Sequence, residues 1–241
     1  QTSLVGSEMC IRDSIIIMLS FAVRASFGVF QIPIAEEFGW LRTEFSMAIA
    51  LQNLFWGIGQ PIFGAIAEKL TDRKAILLGG LVYALGLVLS STAATPGAMQ
   101  MYGILVGFGI AGTGFGVILA VVGRASSDEN RSMSLGIATA AGSAGQVIGA
   151  PLAEYLLIYM SWQNVFIAFA AIVIGSLTFL PMIKSERVAS KTELDEGIGR
   201  VLITAFKDPS YSLIFLGFFS CGYQLAFITA PVSYTHLTLP T

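Results

Sequence analysis

Long apolar stretches decide what this chain can fold into. Seven of them follow one another between residues 15 and 230, each with roughly the 20 apolar residues that a helix needs to cross a bilayer. With 55% hydrophobic and only 12% charged residues, the chain is too apolar to present a water-facing surface throughout. We therefore predict an all-α, polytopic membrane protein.

Charged and turn-forming residues mark the ends of these stretches. The pattern is six spans, one long charged segment and one further span. We predict a six-helix transmembrane bundle over residues 15–183, a cytoplasmic linker over 184–208 and a seventh spanning helix over 209–231. The predicted spans are 15–35, 45–67, 75–94, 98–122, 133–159, 164–183 and 210–230.

The two ends of the chain differ from its interior. Residues 1–14 and 232–241 stop abruptly and match neither a signal peptide nor another targeting pattern. They resemble the translated sequencing-adapter tails that occur at the ends of open reading frames in environmental assemblies. We expect both segments to be non-native tails, which removes His236, the only histidine, from any mechanism. Ordinary polar termini are the alternative.

Composition excludes several classes of function. The 13 basic and 15 acidic residues leave a net charge of −2, so neither sign is in the excess that a nucleic-acid binder needs. Cys10 and Cys221 form neither a metal-ligand cluster nor a disulfide framework, so we expect no metal and no cofactor. A membrane enzyme would need a Ser-His, paired-aspartate or H-E-x-x-H site, and a retinal-type receptor a lysine in the seventh span. Neither remote alternative has a residue in its favour, so we expect no enzyme.

Basic residues are distributed unequally between the connections. Outside the spans and the tail, Arg42 lies alone on one side of the membrane. The other side carries ten basic residues: Lys69, Arg73, Lys74, Arg124, Arg131, Lys184, Arg187, Lys191, Arg200 and Lys207. Because cytoplasmic loops are enriched in lysine and arginine, this bias predicts a cytoplasmic N-terminus. We expect an integral protein of the bacterial inner (plasma) membrane.

Arg24 is the basic residue that lies inside a predicted span. It is about ten residues into the first span, near the middle of the bilayer, where insertion of an arginine costs about 2.5–3.5 kcal/mol. No acidic residue lies at comparable depth in the first six spans. We therefore expect its guanidinium to face a cavity and to bind substrate. A snorkelling side chain, or a partner in another part of the protein, is the alternative.

Other side chains at similar depth extend this candidate site. Phe27 and Gln31 follow Arg24 at i+3 and i+7, the spacing that shares one face of an α-helix. Amides also recur on one face of the second span and in the middle of the fifth. The candidate substrate-binding residues are Arg24, Phe27, Gln31, Asn53, Gln60 and Gln146. Hydrogen bonding between helices is the alternative role for the amides.

Glycine recurs at helical spacing in the fifth span. Gly142, Gly145 and Gly149 lie at i, i+3 and i+7 and so share one face. In lipid, helices associate through packing rather than through exclusion of water, and small residues let two backbones approach closely. We predict a helix-packing face, along which two helices can also slide.

The connection between the second and third spans has the most specific pattern. Residues 64–74 read GAIAEKLTDRK and resemble the signature loop between helices two and three of the major facilitator superfamily. That loop has a glycine, a small apolar run, an acid–base pair, a second glycine and a basic pair. Here Glu68 replaces the usual aspartate and Thr71 the second glycine. Thr71 puts the turn geometry in question, because a β-branched residue resists the positive φ that glycine allows.

In that family the loop is a cytoplasmic latch that gates transport. The resemblance implies that Gly64 is a close-packing point and that Glu68 meets a facing helix end or a basic partner. The basic members of the network would be Lys69, Arg73 and Lys74. A merely positive cytoplasmic loop is the alternative.

Two further likenesses bear on the type of carrier. Residues 142–151 (GSAGQVIGAP) resemble the glycine-rich fifth helix of the family's exchangers, and residues 24–42 resemble the bacterial branch near monocarboxylate and oxalate/formate carriers. The resemblance implies alternating access by two six-helix halves with substrate between them, so that residues 209–231 begin a truncated C-terminal half with about five native helices to follow. We expect a secondary active transporter of a small organic anion such as a monocarboxylate, coupled to a proton or a counter-anion. Transport of a non-anionic solute, or drug efflux, is the alternative.

Overall fold

Residues 2–182 and 198–229 are described by a computed structural model of the chain, and every helix or strand element assigned within these ranges is helical. This agrees with the predicted all-α class. The chain divides into two compact units, Gln1–Arg187 and Val188–Thr241.

The first unit holds the six predicted spans of the bundle. Its helices are α1 (Thr2–Ala25), α2 (Gln31–Phe38), α3 (Arg42–Lys69), α4 (Asp72–Ser90), α5 (Pro96–Thr113), α6 (Phe115–Ala125), α7 (Arg131–Tyr159) and α8 (Trp162–Ser176). A 3-10 turn, Ser26–Phe30, joins α1 to α2, and a second one, Leu177–Met182, follows α8. The first span is thus α1, the turn and α2, and the fourth span is α5 with α6.

The second unit contains α9 (Ile198–Lys207) and α10 (Pro209–Thr229) within its described residues. α10 matches the predicted seventh span, and α9 occupies the end of the segment predicted as a linker. Residues 184–197 of that linker and the whole C-terminal tail, residues 232–241, lie outside the described residues. The predicted N-terminal tail lies within α1, and its non-native origin stays a prediction.

Five of the described segments are long and apolar enough to cross a membrane: Ser14–Phe38, Asp72–Ser90, Pro96–Ala125, Arg131–Tyr159 and Trp162–Pro181. Helix α3 has 28 residues and is therefore long enough as well. Its composition differs, because the polar side chains Gln52, Asn53 and Gln60 lower its mean hydropathy. The second span therefore carries more polar groups than its neighbours.

The first and fourth spans differ from the sequence-based expectation in how their helices end. The first span continues through Glu36 and Glu37 to Phe38, because the helix ends only where Gly39 takes a left-handed conformation (φ 69°) and its N–H donates to Ala35 O at 2.8 Å. The fourth span is not continuous, since Gly114 is extended (φ −92°, ψ −170°) and separates α5 from α6.

Helix pairs give the first unit its core. α1 packs along α7, α3 along α5, and α4 against α5 and α8. One cluster of buried side chains includes Phe30 stacked on Phe166 at 4.4 Å, and a second includes Phe21 and Ile118. Arg24 lies in α1 between residues of the two clusters, so the fold places its charge inside the bundle.

Candidate functional site

Arg24 lies in the last turn of α1, directly before the 3-10 turn. Its Nη2 donates to Oδ1 of Asn53 on α3 at 2.8 Å. The guanidinium carbon lies 4.5 Å from the ring centroid of Trp56 and 5.8 Å from that of Phe21, within the range of cation–π attraction. One amide and two aromatic rings therefore hold this charge where α1 meets α3.

Helix α3 orients Asn53 and Trp56 for their contacts with Arg24. The two residues are three apart on α3 and so share a face. Asn53 Nδ2 donates to Ile49 O at 2.9 Å, which leaves Oδ1 as the acceptor for Arg24. Within residues 2–182 and 198–229, no carboxylate forms an ion pair with Arg24. Its positive charge is therefore held by neutral groups.

The indole N–H of Trp56 is a second hydrogen-bond donor close to Arg24. Its Nε1 is buried and has no hydrogen-bond partner among the described residues. A Cβ at Gly114 would lie 3.3 Å from this nitrogen, so the indole N–H is at the break between α5 and α6. Buried N–H groups in proteins nearly always have a partner. Trp56 was not among the residues that the sequence predicted for the site.

Phe27 and Gln31 do not continue the face of Arg24. Phe27 is buried with its ring 5.5 Å from that of Phe166, and Gln31 is buried with Nε2 3.5 Å from Ser46 Oγ. The 3-10 turn between Arg24 and Gln31 has about three residues per turn, so the α-helical spacing assumed for these positions does not hold across it. Their role in binding substrate stays a prediction.

The remaining amides lie elsewhere in the bundle. Gln60 is half-buried on α3, with Oε1 against Gly116 of α6. Gln146 is half-buried on α7, next to Gly145. Of Asn53, Gln60 and Gln146, Asn53 is the one that accepts a hydrogen bond from Arg24 in the described structure. Substrate contacts by Gln60 and Gln146 stay predictions.

The loop over residues 64–74 is built differently from the expectation. Thr71 is the N-cap of α4: its backbone is extended (φ −171°, ψ 154°) and its Oγ1 accepts from Lys74 N–H at 3.3 Å. The turn therefore needs no positive φ at this position. A Cβ at Gly64 would meet no atom within 4 Å, so Gly64 is not a close-packing point among the described residues. The exposed charged residues of the loop are Glu68, Lys69, Arg73 and Lys74.

Comparison with known families decides the assignment. The family model described as Major Facilitator Superfamily matches residues 14–240. This chain belongs to the major facilitator superfamily. The predicted superfamily is therefore confirmed, and the chain is an integral membrane protein.

Relatives within the superfamily point to more than one type of carrier. The chain is 31% identical over 162 residues to monocarboxylate transporter 13 of Bos taurus, which covers 64% of this chain and 36% of that protein. It is 31% identical over 232 residues to the multidrug resistance protein MdtH of Klebsiella pneumoniae, which covers 93% of this chain and 55% of that protein. The chain thus spans about half the length of these relatives or less.

A solved structure has the same fold. The crystal structure of a bacterial homolog to the human lysosomal transporter Spinster, in an inward-facing and unoccupied conformation, aligns with a TM-score of 0.68 and 18% identity. The alignment covers 94% of this chain and 55% of that chain. At this identity the likeness shows the fold alone, and it confirms the predicted all-α polytopic membrane fold.

Within residues 64–74, the buried acid is Asp72. Its side chain is 4% exposed and accepts from Arg124 Nη2 at 2.5 Å, while the Arg124 side chain is 34% exposed. Asp72 also lies in the first turn of α4, where a negative charge suits the helix N-terminus. Glu68, the acid that the resemblance favoured, is exposed. Sequence reasoning missed this pair, although opposite charges at the start of the third span and the end of the fourth were a usable signal.

We expect the Asp72–Arg124 pair to couple α4 to α6 measurably. In a double-mutant cycle with Asp72→Asn and Arg124→Gln, the coupling in the free energy of unfolding should be about 1–3 kcal/mol, below the full cost of breaking a buried pair because Arg124 is one-third exposed. The cycle is measured on the purified native gene product in detergent. The exposed pair Arg131–Asp128, at 3.4 Å, is the control and should couple by less than about 0.5 kcal/mol. Additive effects at Asp72 and Arg124 would contradict the expectation.

The glycines of α7 lie in its contact with α1 and α6. A Cβ at Gly145 or at Gly149 would collide with a backbone carbonyl of α1. At Gly142 it would lie 2.6 Å from the ring of Phe115 on α6. The contact between α1 and α7, which positions Arg24, therefore requires Gly145 and Gly149 to stay small.

Proposed function

We propose that the protein is a secondary active transporter that moves a small organic anion, such as a monocarboxylate, by alternating access. The setting of Arg24 carries this proposal. Its guanidinium lies inside the bundle, bonded to Asn53 and stacked near Trp56, and none of the described carboxylates pairs with it. A half-buried charge that only neutral groups contact among the described residues favours an anionic ligand.

The chemistry of the donors supports a carboxylate. An arginine side chain has five N–H donors in a planar fork, and only one bond, from Nη2 to Asn53, is made to the described protein groups. A carboxylate accepts two parallel charge-assisted bonds from such a fork. In a membrane-embedded cavity the effective dielectric is well below that of water, so this contact offsets the cost of burying the arginine. The indole N–H of Trp56, which has no partner within the described part of the chain, is a further donor nearby.

The remaining features follow from the family and from the charge distribution. The bias of basic residues toward one set of connections supports a cytoplasmic N-terminus in a bacterial inner membrane. A proton or a counter-anion is the proposed coupling partner, and the lipid bilayer is the medium. The loop over residues 64–74 is proposed to act as the gate, with transport rather than catalysis as the activity.

Drug efflux is the second candidate. The alignment with the multidrug resistance protein MdtH of Klebsiella pneumoniae covers 93% of this chain, more than the 64% covered by monocarboxylate transporter 13. An exporter of apolar drugs would use the aromatic rings around Arg24 as a binding surface. The charge of Arg24 itself favours the anion.

Uptake into proteoliposomes separates the two candidates. The native gene product is reconstituted and assayed with labelled carboxylates, organic cations and neutral drugs, with and without an imposed pH gradient or internal anion. We expect saturable uptake of a carboxylate that other carboxylates inhibit and organic cations do not. Transport limited to cations or neutral drugs would refute the anion proposal. Empty liposomes are the control for leakage.

A further inference from the structure

α9 separates apolar from polar residues along its ten-residue length. In its sequence, IGRVLITAFK, apolar residues recur at 198, 201, 202, 205 and 206, the spacing of one helical face. Arg200, Thr204 and Lys207 recur at the spacing of the opposite face, and the helix contains no acidic residue. Such a basic amphipathic helix is typical of the boundary between lipid and water.

α9 is held at the beginning of α10. Asp208 alone separates the two helices, and its Oδ1 accepts from the backbone N–H two residues on at 2.8 Å. Ser212 Oγ donates to Phe206 O at 3.0 Å. The ring of Phe206 lies edge-on to Tyr211 and Phe215 at 5.4 and 5.1 Å. These contacts tie the end of α9 to the first two turns of α10.

Apolar side chains stay exposed in this unit despite these contacts. Phe206 of the apolar face is 46% exposed and Ile203, at the edge of that face, 63%. Large apolar side chains of α10 such as Leu213 and Phe218 are exposed as well. Along α10 this is what a helix in lipid requires, because the solvent there is as apolar as the side chains. α9 ends one residue before α10 begins, so α9 reaches the edge of the lipid if α10 crosses a bilayer.

We propose that α9 lies in the bilayer interface at the start of α10, with its apolar face in the acyl boundary and its basic face among anionic lipid headgroups. A bilayer suits both faces at once: the acyl boundary covers the apolar stripe, and negative headgroups attract Lys207. α9 then anchors the end of the linker to the membrane. This proposal rests on α10 crossing the bilayer and is independent of which solute is carried.

Spin labels at four neighbouring positions test the depth of α9. The native gene product, in a cysteine-free background that includes Cys221→Ser, receives single cysteines by Thr204→Cys, Ala205→Cys, Phe206→Cys and Lys207→Cys. Each labelled variant is reconstituted in vesicles of phosphatidylcholine and phosphatidylglycerol. Collision rates are measured with lipid-soluble oxygen and with a water-soluble nickel chelate. We expect the oxygen-to-nickel ratio at 205 and 206 to exceed that at 204 and 207 several-fold.

Three other results would overturn the proposal. Equal and high nickel access at all four positions would mean that α9 lies in water. Protection of 205 and 206 from both reagents would mean that a protein surface covers the stripe. An unchanged ratio in vesicles of phosphatidylcholine alone would remove the role of anionic lipid. Because Phe206→Cys also removes a contact with α10, Ala205→Cys reports depth independently, and circular dichroism checks that each variant is folded.

Discussion

Replacing Arg24 by glutamine is expected to abolish measurable anion uptake while the protein still folds. Charge-assisted hydrogen bonds contribute about 1.5–3 kcal/mol each, so losing two of them lowers uptake about 100-fold or more. Glutamine still offers an amide to Asn53, which keeps the contact between α1 and α3 polar. Uptake is measured in proteoliposomes, and folded protein by size-exclusion chromatography in detergent.

Replacing Arg24 by lysine should give an intermediate loss. Lysine keeps the positive charge but presents a point charge rather than a planar fork, so it cannot form two parallel bonds to a carboxylate. It also loses the guanidinium group, whose carbon lies 4.5 Å from the Trp56 ring centroid. We therefore expect weaker apparent affinity in Arg24→Lys, with more residual uptake than in Arg24→Gln.

Arg131→Gln is the matched control for the loss of one guanidinium. Arg131 is exposed at the start of α7 and pairs with the exposed Asp128. The same chemical change there should leave uptake unaltered. Full anion uptake by folded Arg24→Gln protein, or a substrate that proves cationic or neutral, would refute a role for Arg24 in anion binding.

Replacing Gly145 by valine is expected to disrupt the first unit. A Cβ at this position would collide with the carbonyl oxygen of Met18, a backbone atom of α1 that cannot rotate away. α1 and α7 must then separate, which also loosens the contacts at Gly149. Overpacking a core costs about 1–3 kcal/mol where side chains can yield, and more is expected where backbone blocks the space. The yield of monodisperse protein and its apparent melting temperature in detergent should both fall.

Gly136→Val on the same helix is the control. A Cβ at Gly136 would meet no atom within 4 Å, so valine fits without displacing α1. Glycine is also a poorer helix former than valine, by a few tenths of a kcal/mol. We expect unchanged or slightly higher stability. If Gly145→Val protein is as stable as Gly136→Val protein, the close contact between α1 and α7 is wrong.

Single positions in the candidate site were predictable because their signals are local. Arg24 stands out from the sequence as a charge inside an apolar span. Asn53 stands out as an amide in the second span. Gly145 stands out through its spacing from other glycines. In each case the sequence shows a residue that is costly or unusual in lipid. The structure then shows which side chain or backbone atom that residue contacts.

Pairings between distant positions were not predictable in the same way. Asp72 bonds to Arg124, 52 positions away, and the sequence pattern pointed instead to Glu68, which lies in the same loop. The 3-10 turn after Arg24 and the break at Gly114 also went unrecognised. Each changes which side chains share a helical face within an apolar segment. The hydrophobicity of the segment is the same with or without that change, so the sequence pattern gives no sign of it.

By itself, the sequence determined the fold class, because burial in lipid is a property of each segment's own composition. The motif over residues 64–74 indicated the superfamily. The tertiary structure decided which side chains meet. It placed Asn53 and Trp56 on Arg24, turned Phe27 into the core and paired Asp72 with Arg124. These contacts depend on how helices rotate and approach each other, and that is set jointly by all the packed neighbours.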